Sequence, residues 1–600
     1  MTDCLHNRRD LDFQLYEVLD SVALTRFPLF QEHSRETFAA VLDTANAIAS
    51  EKFLPHNRLS DEHEPQFDGQ RVTVHAAVKE ALHAFGQAGF PAATYPHEQG
   101  GMQLPTTIAQ AALSYFVGAN MATTIYAFLS IGNASLIDRY GSAAQKKKYL
   151  THLLSGRFLG TMALTEPQAG SSLADLTTTA TPIDDGSDGR YSIRGSKIFI
   201  SGGDHELSEN IVHLVLARIP GSPPGVKGIS LFIVPKYRID DETFGVDNDV
   251  ALAGLIHKMG CRGTTSTLLA FGERGECIGE LVGEANQGLS YMFHMMNQIR
   301  IGTGACATML GLRGYLASLD YAKQRVQGRH PTQNASEAPV AIIEHADVRR
   351  MLMTQKAYVE GAMALCLYCA WLVDRQKVGA DETDRREAGQ LLDLLTPILK
   401  SWPSQWCLEA NSLAIQIHGG YGYSREYPVE QFYRDNRLNM IHEGSHGIQA
   451  LDLLGRKVFM QHGANLKLLL REMQTTLQET EGVEALHEFG EALANALADA
   501  ADTVQRLGAT MLKQPDLALA NATVFMDAMG HTVIAWMWLR QALAAQRGLA
   551  TAHETDRAFY HGKLAACRWF YRWELPKTQA WHALLRRLDD TAMQLPVESF

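Results

Sequence analysis

The sequence predicts a mostly α-helical chain with a central β domain: an N-terminal helical domain, a small antiparallel β-barrel or sandwich, a four-helix bundle, and an additional C-terminal helical domain. Three observations lead there. Apolar residues recur at three-and-four spacing over about the first 155 residues and again beyond residue 283, the period of an amphipathic helix. Between them, from Phe158, short β-branched and aromatic runs alternate with turn clusters such as DDGSDG and PGSPPGVKG, the texture of strands and tight connections. Finally, 600 residues with 46% hydrophobic and 20% charged side chains exceed one core yet carry enough apolar surface to build several.

Taken in order, residues 1–35 form an N-terminal extension containing LDFQLYEVL. Its start, MTDCLHNRRDLDFQ, lacks the apolar core of a secretory signal and carries acids that a transit peptide lacks, so a cytoplasmic location is expected. Residues 36–158 give the helical segments ETFAAVLDTANAIASEKFL, AAVKEALHAFGQAGF, TTIAQAALSYFVGANMATTIYAFLS and SAAQKKKYLTHLLSG, punctuated by GFPAATYPHEQGGMQLP. Residues 159–282 give FLGTMALT, RYSIRGSKIFIS, IVHLVLARI, GISLFIVP, STLLAFGE and ECIGELVG, read as antiparallel strands. Helical periodicity fills 283–460, interrupted by the polar loop PTQNASEAP, and four long segments make a bundle. In the helical domain 461–600, the Trp-rich runs AWMWLRQALAAQ and RWFYRWELP read as core or a subunit interface.

A net charge of −12 argues against nucleic-acid binding, which needs basic patches to displace counterions. The longest apolar run, Gly361 to Val373, has 13 residues, too few for a transmembrane helix. Eight cysteines in so long a chain do not make a disulfide framework, and the C-x-x-C of Cys366 and Cys369 lies inside a helical run as core. No G-x-G-x-x-G follows a strand, so a nicotinamide site is unsupported; Gly302 and Gly304 read as close-packing positions.

The stretch from Gln416 to Val458 holds the most chemistry. HEGSH at 442–446 satisfies the zinc-protease pattern, which works only on a continuous helix with both histidines on one face. Gly444 between them and Gly447 after them argue instead for a loop feeding a helix, at about 1 kcal/mol per glycine. In that reading Glu443 is a candidate general base, and Ser445 is an N-cap whose hydroxyl serves first-turn amides. No metal site is expected, although Glu472 leaves a zinc hydrolase as a remote alternative.

LTEPQAGSS at 164–172, GSKIFISGG at 195–203, Arg300 with Arg325 after it, and QIHGGYGY running on to IHEGS together resemble the acyl-CoA dehydrogenase flavoprotein family over about residues 80–458. The extra helical ends are similar to a longer bacterial branch that includes fatty acyl-CoA and 3-methylthiopropanoyl-CoA dehydrogenases. The resemblance implies FAD as cofactor. It assigns Leu164, Thr165 and Ser171 to flavin contacts, Phe199 and Ser201 to the ring, Arg325 to a neighbouring subunit's pyrophosphate, and Gln416, Gly419 and Gly420 to the adenine side. Ser445 would touch the cofactor beyond the base. Substrate contacts implied are Ser171, Asn297, Arg300 and Gly444. Three positions depart from the family: Phe199 and Ser172 stand where Trp and Asp are common, and His442 where Tyr is frequent.

The implied reaction is the desaturation of an acyl-CoA to a trans-2-enoyl-CoA, the first step of fatty acid β-oxidation. Glu443 would remove the α-proton, hydride would pass to flavin, and electrons would leave to an electron-transfer flavoprotein. A homodimer is expected. A 3-methylthiopropanoyl-CoA substrate, an oxidase releasing hydrogen peroxide, and a DNA-binding homologue stand as alternatives.

Overall fold

The computed structural model describes residues 5–184, 188–240 and 243–600, less the side chains of 240, 243, 244 and 293–298. It divides into two compact units, Arg35–Gly302 and Met1–Ser34 with Thr303–Phe600.

The unit Arg35–Gly302 opens with helices, among them Arg35–Ile48, Ala76–Gln87, Thr106–Ala119 and Met121–Tyr140. The last two are parted by one extended residue, Asn120, whose side-chain oxygen accepts from the Thr123 N–H at 3.0 Å and so caps the second helix. An eight-stranded sheet follows: β1 (Phe158–Ala163), β2 (Thr179–Pro182), β3 (Arg190–Ser201), β4 (Asn210–Arg218), β5 (Ile229–Pro235), β6 (Val250–Leu255), β7 (Ser266–Phe271) and β8 (Ile278–Leu281). The order is β6-β7-β3-β8-β5-β4-β1, with β2 beside β3 and β4.

This corrects the antiparallel expectation in one respect: β1 runs parallel to β4 over its whole length, and β2 meets β4 in parallel at one pair. The reason is topological. Parallel neighbours need a long crossover, and the 46-residue passage between β1 and β4, which contains β2 and β3, supplies it; periodicity within each strand carries no trace of that. Asn133, from the helix Met121–Tyr140, spans the parallel pair by donating to the Thr161 and Val212 carbonyls at 3.1 and 2.7 Å. Val212, Leu214 and Leu216 of β4 pack on one side against Leu136, Ile137, Tyr149 and Leu153, while Val215 and Ala217 face Ile193, Phe232 and Phe271 on the other. Both faces are covered, which is why the strand reads as a continuous apolar run.

In the second unit the long helices are Gly288–Gln324, which carries the boundary at Gly302, Ala346–Val378 and Glu382–His418. The fourth segment of the bundle comes in pieces, Val429–Arg437 and His446–Asp452, either side of the turn that holds Glu443. Gly302 and Gly304 are close-packing positions: a Cβ would meet the Phe128 ring at 1.7 Å and the Leu399 carbonyl at 2.4 Å, respectively. Ala346–Val378 is long and apolar enough to cross a membrane by composition, yet 89% of its apolar window is buried within the protein. Cys366 and Cys369 are buried free thiols within it, and burial pushes Cys366 up to about 12.

The C-terminal aromatic stripe is core. Trp536 and Trp538 on Ala522–Thr551 are buried, their indole N–H groups donating to Thr476 Oγ1 at 2.8 Å and to the Ala357 carbonyl at 2.9 Å. Residues 5–34 dock onto this region rather than standing apart. Buried Lys563 bridges Asp10 and Glu360, Gln14 donates to Gln541 at 2.7 Å, and Phe13 meets Phe559 edge-on at 5.3 Å.

Candidate functional site

The singled-out residues are divided between the two units. In Arg35–Gly302, Leu164 and Thr165 leave the end of β1 and enter a tight turn closed by reciprocal backbone bonds between Glu166 and Ala169, both 3.0 Å. The Ile198 N–H donates to the Thr165 carbonyl at 2.9 Å, tying this connection to β3. Beneath it Lys197 Nζ donates to Glu166 Oε1 at 2.8 Å and to the Leu164 carbonyl at 3.0 Å, with both ionic side chains essentially without exposure. Burial alone would raise Glu166. The Lys197 charge and the donors from Thr177, Thr178 and Gln168 outweigh it and hold the carboxyl at about 2. Burial pulls Lys197 the other way, down to about 8.

Ser171 is exposed at the end of the connection. The charge that Ser172 lacks is supplied three residues on, because its hydroxyl donates to Asp175 Oδ2 at 2.6 Å. Phe199 sits at a bulge: the β3–β7 register passes from Thr267↔Ile200 to Leu269↔Lys197, leaving one extra residue on β3, and Phe199 takes φ +58°. Lys197 and Phe199, two apart, therefore do not share a face; one is fully buried and the other 62% exposed. A phenylalanine held left-handed is strained by about 1–3 kcal/mol, the kind of outlier that gathers at working sites. Ser201 is half-buried opposite Ser266, and Arg300 is buried on the helix Gly288–Gln324. The side chain of Asn297 lies outside the described residues.

In the other unit, Arg325, Gly419 and Gly420 line one cavity of about 640 Å³ with Tyr321, His418, Tyr421 and Ser424. Gly419 ends the helix Glu382–His418 at φ +61°, ψ −136°, a conformation closed to residues with a Cβ. Open space surrounds both glycines, leaving their backbone approachable. Tyr321 stacks on His418 at 4.3 Å, and the Arg325 guanidinium lies 5.9 Å from the Tyr421 ring. A guanidinium, bare backbone and stacked rings form a donor set that fits the diphosphate and planar base of FAD. Gln416 is exposed on the helix's last turn and does not line the cavity. Tyr321, His418 and Tyr421 were not singled out from the sequence, although Tyr321 precedes Arg325 by one helical turn and the other two lie within HGGYGY.

Glu443 and Gly444 form a turn with φ +55° and +83°, and the helix starts only at His446. HEGSH is thus a loop feeding a helix, and the two histidines have different partners: His442 Nε2 pairs with Asn439 Oδ1 at 3.1 Å, His446 Nδ1 with Ser401 Oγ. An asparagine chain continues from Asn439 to Asn436 and Asn411, and reaches the Ala307 and Leu310 carbonyls. Burial first, and the Lys400 charge second, push His442 down to about 3 and His446 to about 4. The N-cap expectation for Ser445 needs correcting. It occupies the cap position with the non-helical φ −56° and ψ 162° of a cap residue, but its hydroxyl makes no cap bond.

Comparison with known proteins gives four family matches in sequence order: "Acyl-CoA dehydrogenase, N-terminal domain" over residues 35–157, "middle domain" over 161–272, "C-terminal domain" over 286–459, and "Acetyl-CoA dehydrogenase C-terminal like" over 469–596. The chain is 36% identical over 590 residues to a 3-methylmercaptopropionyl-CoA dehydrogenase of Ruegeria pomeroyi, covering 98% of each chain. It is 35% identical over 617 residues to a broad-specificity linear acyl-CoA dehydrogenase of Mycobacterium tuberculosis, covering 99% of each. Among solved structures, an acyl-CoA dehydrogenase complexed with FAD from Bacillus anthracis aligns with a TM-score of 0.74 at 22% identity, covering 96% of this chain and 93% of that one.

Proposed function

The chain belongs to the acyl-CoA dehydrogenase family, FAD-dependent oxidoreductases acting on CH–CH bonds, and from that premise we propose that it desaturates a saturated acyl-CoA to the trans-2-enoyl-CoA with Glu443 as the base. The observation that carries this reading is the turn at 443–444, where a carboxylate is held on a left-handed backbone at the entrance to a helix.

Removal of a proton from the thioester α-carbon needs a base within hydrogen-bond reach and donors at the carbonyl oxygen, where charge develops. Glu443 would take the proton through its carboxylate and steady the oxygen through its own N–H. Its histidine neighbours, pushed down to about 3 and 4, are neutral at working pH and do not compete for the proton. Bound FAD supplies the acceptor for the two electrons that leave with the β-hydrogen. Phe199 would cover the ring, Leu164, Thr165, Ser171 and Ser201 would serve its polar edge, and Ser445 would touch the cofactor beyond the base. Arg325, Gly419 and Gly420 would hold a diphosphate and Gln416 would reach the adenine side. Ser171, Asn297, Arg300 and Gly444 would meet the substrate.

Electrons would pass to an electron-transfer flavoprotein, and the enzyme would act as a cytoplasmic homodimer. Linear fatty acyl chains are the first choice; identities of 35% and 36% to the two relatives leave the 3-methylthiopropanoyl thioester in contention. Anaerobic titration of the purified protein with acyl-CoAs of graded length tests the reaction and its substrate: one class should bleach the flavin bands. Glu443→Gln should retain FAD and lose about 10³-fold or more in the rate of bleaching. Bleaching at an undiminished rate would move the base elsewhere.

A further inference from the structure

We propose that Lys400 is a positioning residue for Glu443, fixing the main chain of the turn and setting a positive charge beside it. The inference rests on the reading of Glu443 as the base. Two consecutive left-handed residues, one of them a glutamate, are not a conformation the chain adopts unaided. Here the carbonyls of both are held. Gln449 Nε2, one turn into the following helix, donates to the Glu443 carbonyl at 3.0 Å, and Lys400 Nζ donates to the Gly444 carbonyl at 2.6 Å. A side chain at 444 would displace this arrangement, since its Cβ would lie 2.6 Å from Gln449 Nε2.

Lys400 is fully buried on the helix Glu382–His418 and stands between Pro397 and Pro403. Pro403 has no N–H for the Leu399 carbonyl, so the helix that carries Lys400 has departed from regular bonding at that point. A serine or glutamine could donate to this carbonyl without a desolvated charge, and the lysine adds to the hydrogen bond a positive charge beside the turn. Its field reaches both sides of the turn, since Lys400 follows burial as a cause of the lowered His442 and His446. With both rings neutral, Lys400 brings a positive charge to the turn that carries the Glu443 carboxylate.

Lys400→Met removes donor and charge, whereas Lys400→Gln keeps a donor for the Gly444 carbonyl and removes the charge. Measured per bound flavin with the thioester that bleaches the wild type, kcat should fall about 10–100-fold for Lys400→Met. Lys400→Gln should fall less, and KM should stay within about threefold in both. A filler role would instead lower flavin content or melting temperature and leave kcat per flavin unchanged in both variants, which would overturn the proposal. If Lys400→Met does not fold, Lys400→Gln decides alone: an unchanged kcat refutes the role of the charge. Glu443→Gln run alongside separates the two readings. Undiminished bleaching there fails the base assignment and this inference with it, while lost bleaching with an unaffected Lys400 pair fails only this inference.

Discussion

Lys197→Met tests whether the connection carrying Leu164 and Thr165 is held by charge or merely packed. In the wild type Lys197 Nζ lies 2.8 Å from Glu166 Oε1, with side-chain exposures of 0% and 1%. The substitution leaves Glu166 with its bonds from Thr177, Thr178 and Gln168 but with no opposing charge, and an orphaned buried charge costs about 3–5 kcal/mol. A second route gives a similar size: lowering a carboxyl from 4.5 to about 2 corresponds to about 3 kcal/mol. Because the folded value is depressed, this stability is present above about pH 4.5 and is lost as pH falls towards 2. The deficit of Lys197→Met should therefore be full at pH 7 and narrow progressively below about pH 4.5. Amide exchange over residues 158–201, corrected for intrinsic rates from pH 3 to 7, reads the local opening free energy without assuming that 600 residues unfold together. Protection equal to wild type at pH 7, or a deficit that does not change with acid, would refute the argument.

At the bulge, Phe199→Gly should leave stability unchanged or raise it by up to about 1 kcal/mol, because glycine accepts φ +58° and little buried surface is lost; the same variant should bind FAD at least about tenfold more weakly, measured by fluorescence titration. Arg325→Ala should leave the melting temperature of flavin-free protein within about 1 °C, since the side chain is exposed. It should release FAD on dialysis, and unchanged FAD occupancy would remove Arg325 from the diphosphate assignment.

What was legible from the sequence was what local pattern encodes. The change of texture at Phe158 falls on the first residue of β1, and Gly444 lies in the turn that interrupts HEGSH, although Gly447 is inside the helix that follows. Long-range pairing was not legible. Nothing in FLGTMALT shows that it lies parallel to IVHLVLARI, or in RRDLDFQ that Asp10 meets a lysine more than five hundred residues on. The bulge at Phe199 escaped for a related reason, since KIFIS has unbroken strand propensity and the extra residue exists only relative to β7. Within the candidate site, residues named for chemistry could be chosen by type and spacing. Lys400 and Gln449, which restrain the backbone, belong to apolar helical segments and look like ordinary helix positions until the turn is seen.

The candidate residues of the two units share one physical arrangement. Phe199 and Glu443 are each a bulky residue in left-handed backbone, and close to each a fully buried lysine, Lys197 or Lys400, donates to a main-chain carbonyl, that of Leu164 or Gly444. Strain of about 1–3 kcal/mol persists only where surrounding contacts over-determine the geometry. A buried ammonium does this well, because its desolvation leaves it few alternative partners and makes any departure expensive. The net gain in stability is small, because burial pulls Lys197 down to about 8 even as its charge helps hold Glu166 at about 2, although removing one partner alone costs about 3–5 kcal/mol. The return is positional. The proposed base and the proposed ring-covering aromatic would have to hold their aim to a fraction of an ångström, since a misplacement of about 1 Å can cost about 10²-fold in rate. On this argument both lysines hold backbone geometry in their own unit, Lys400 adding its charge beside Glu443, so either substitution should depress kcat per bound flavin more than it changes KM.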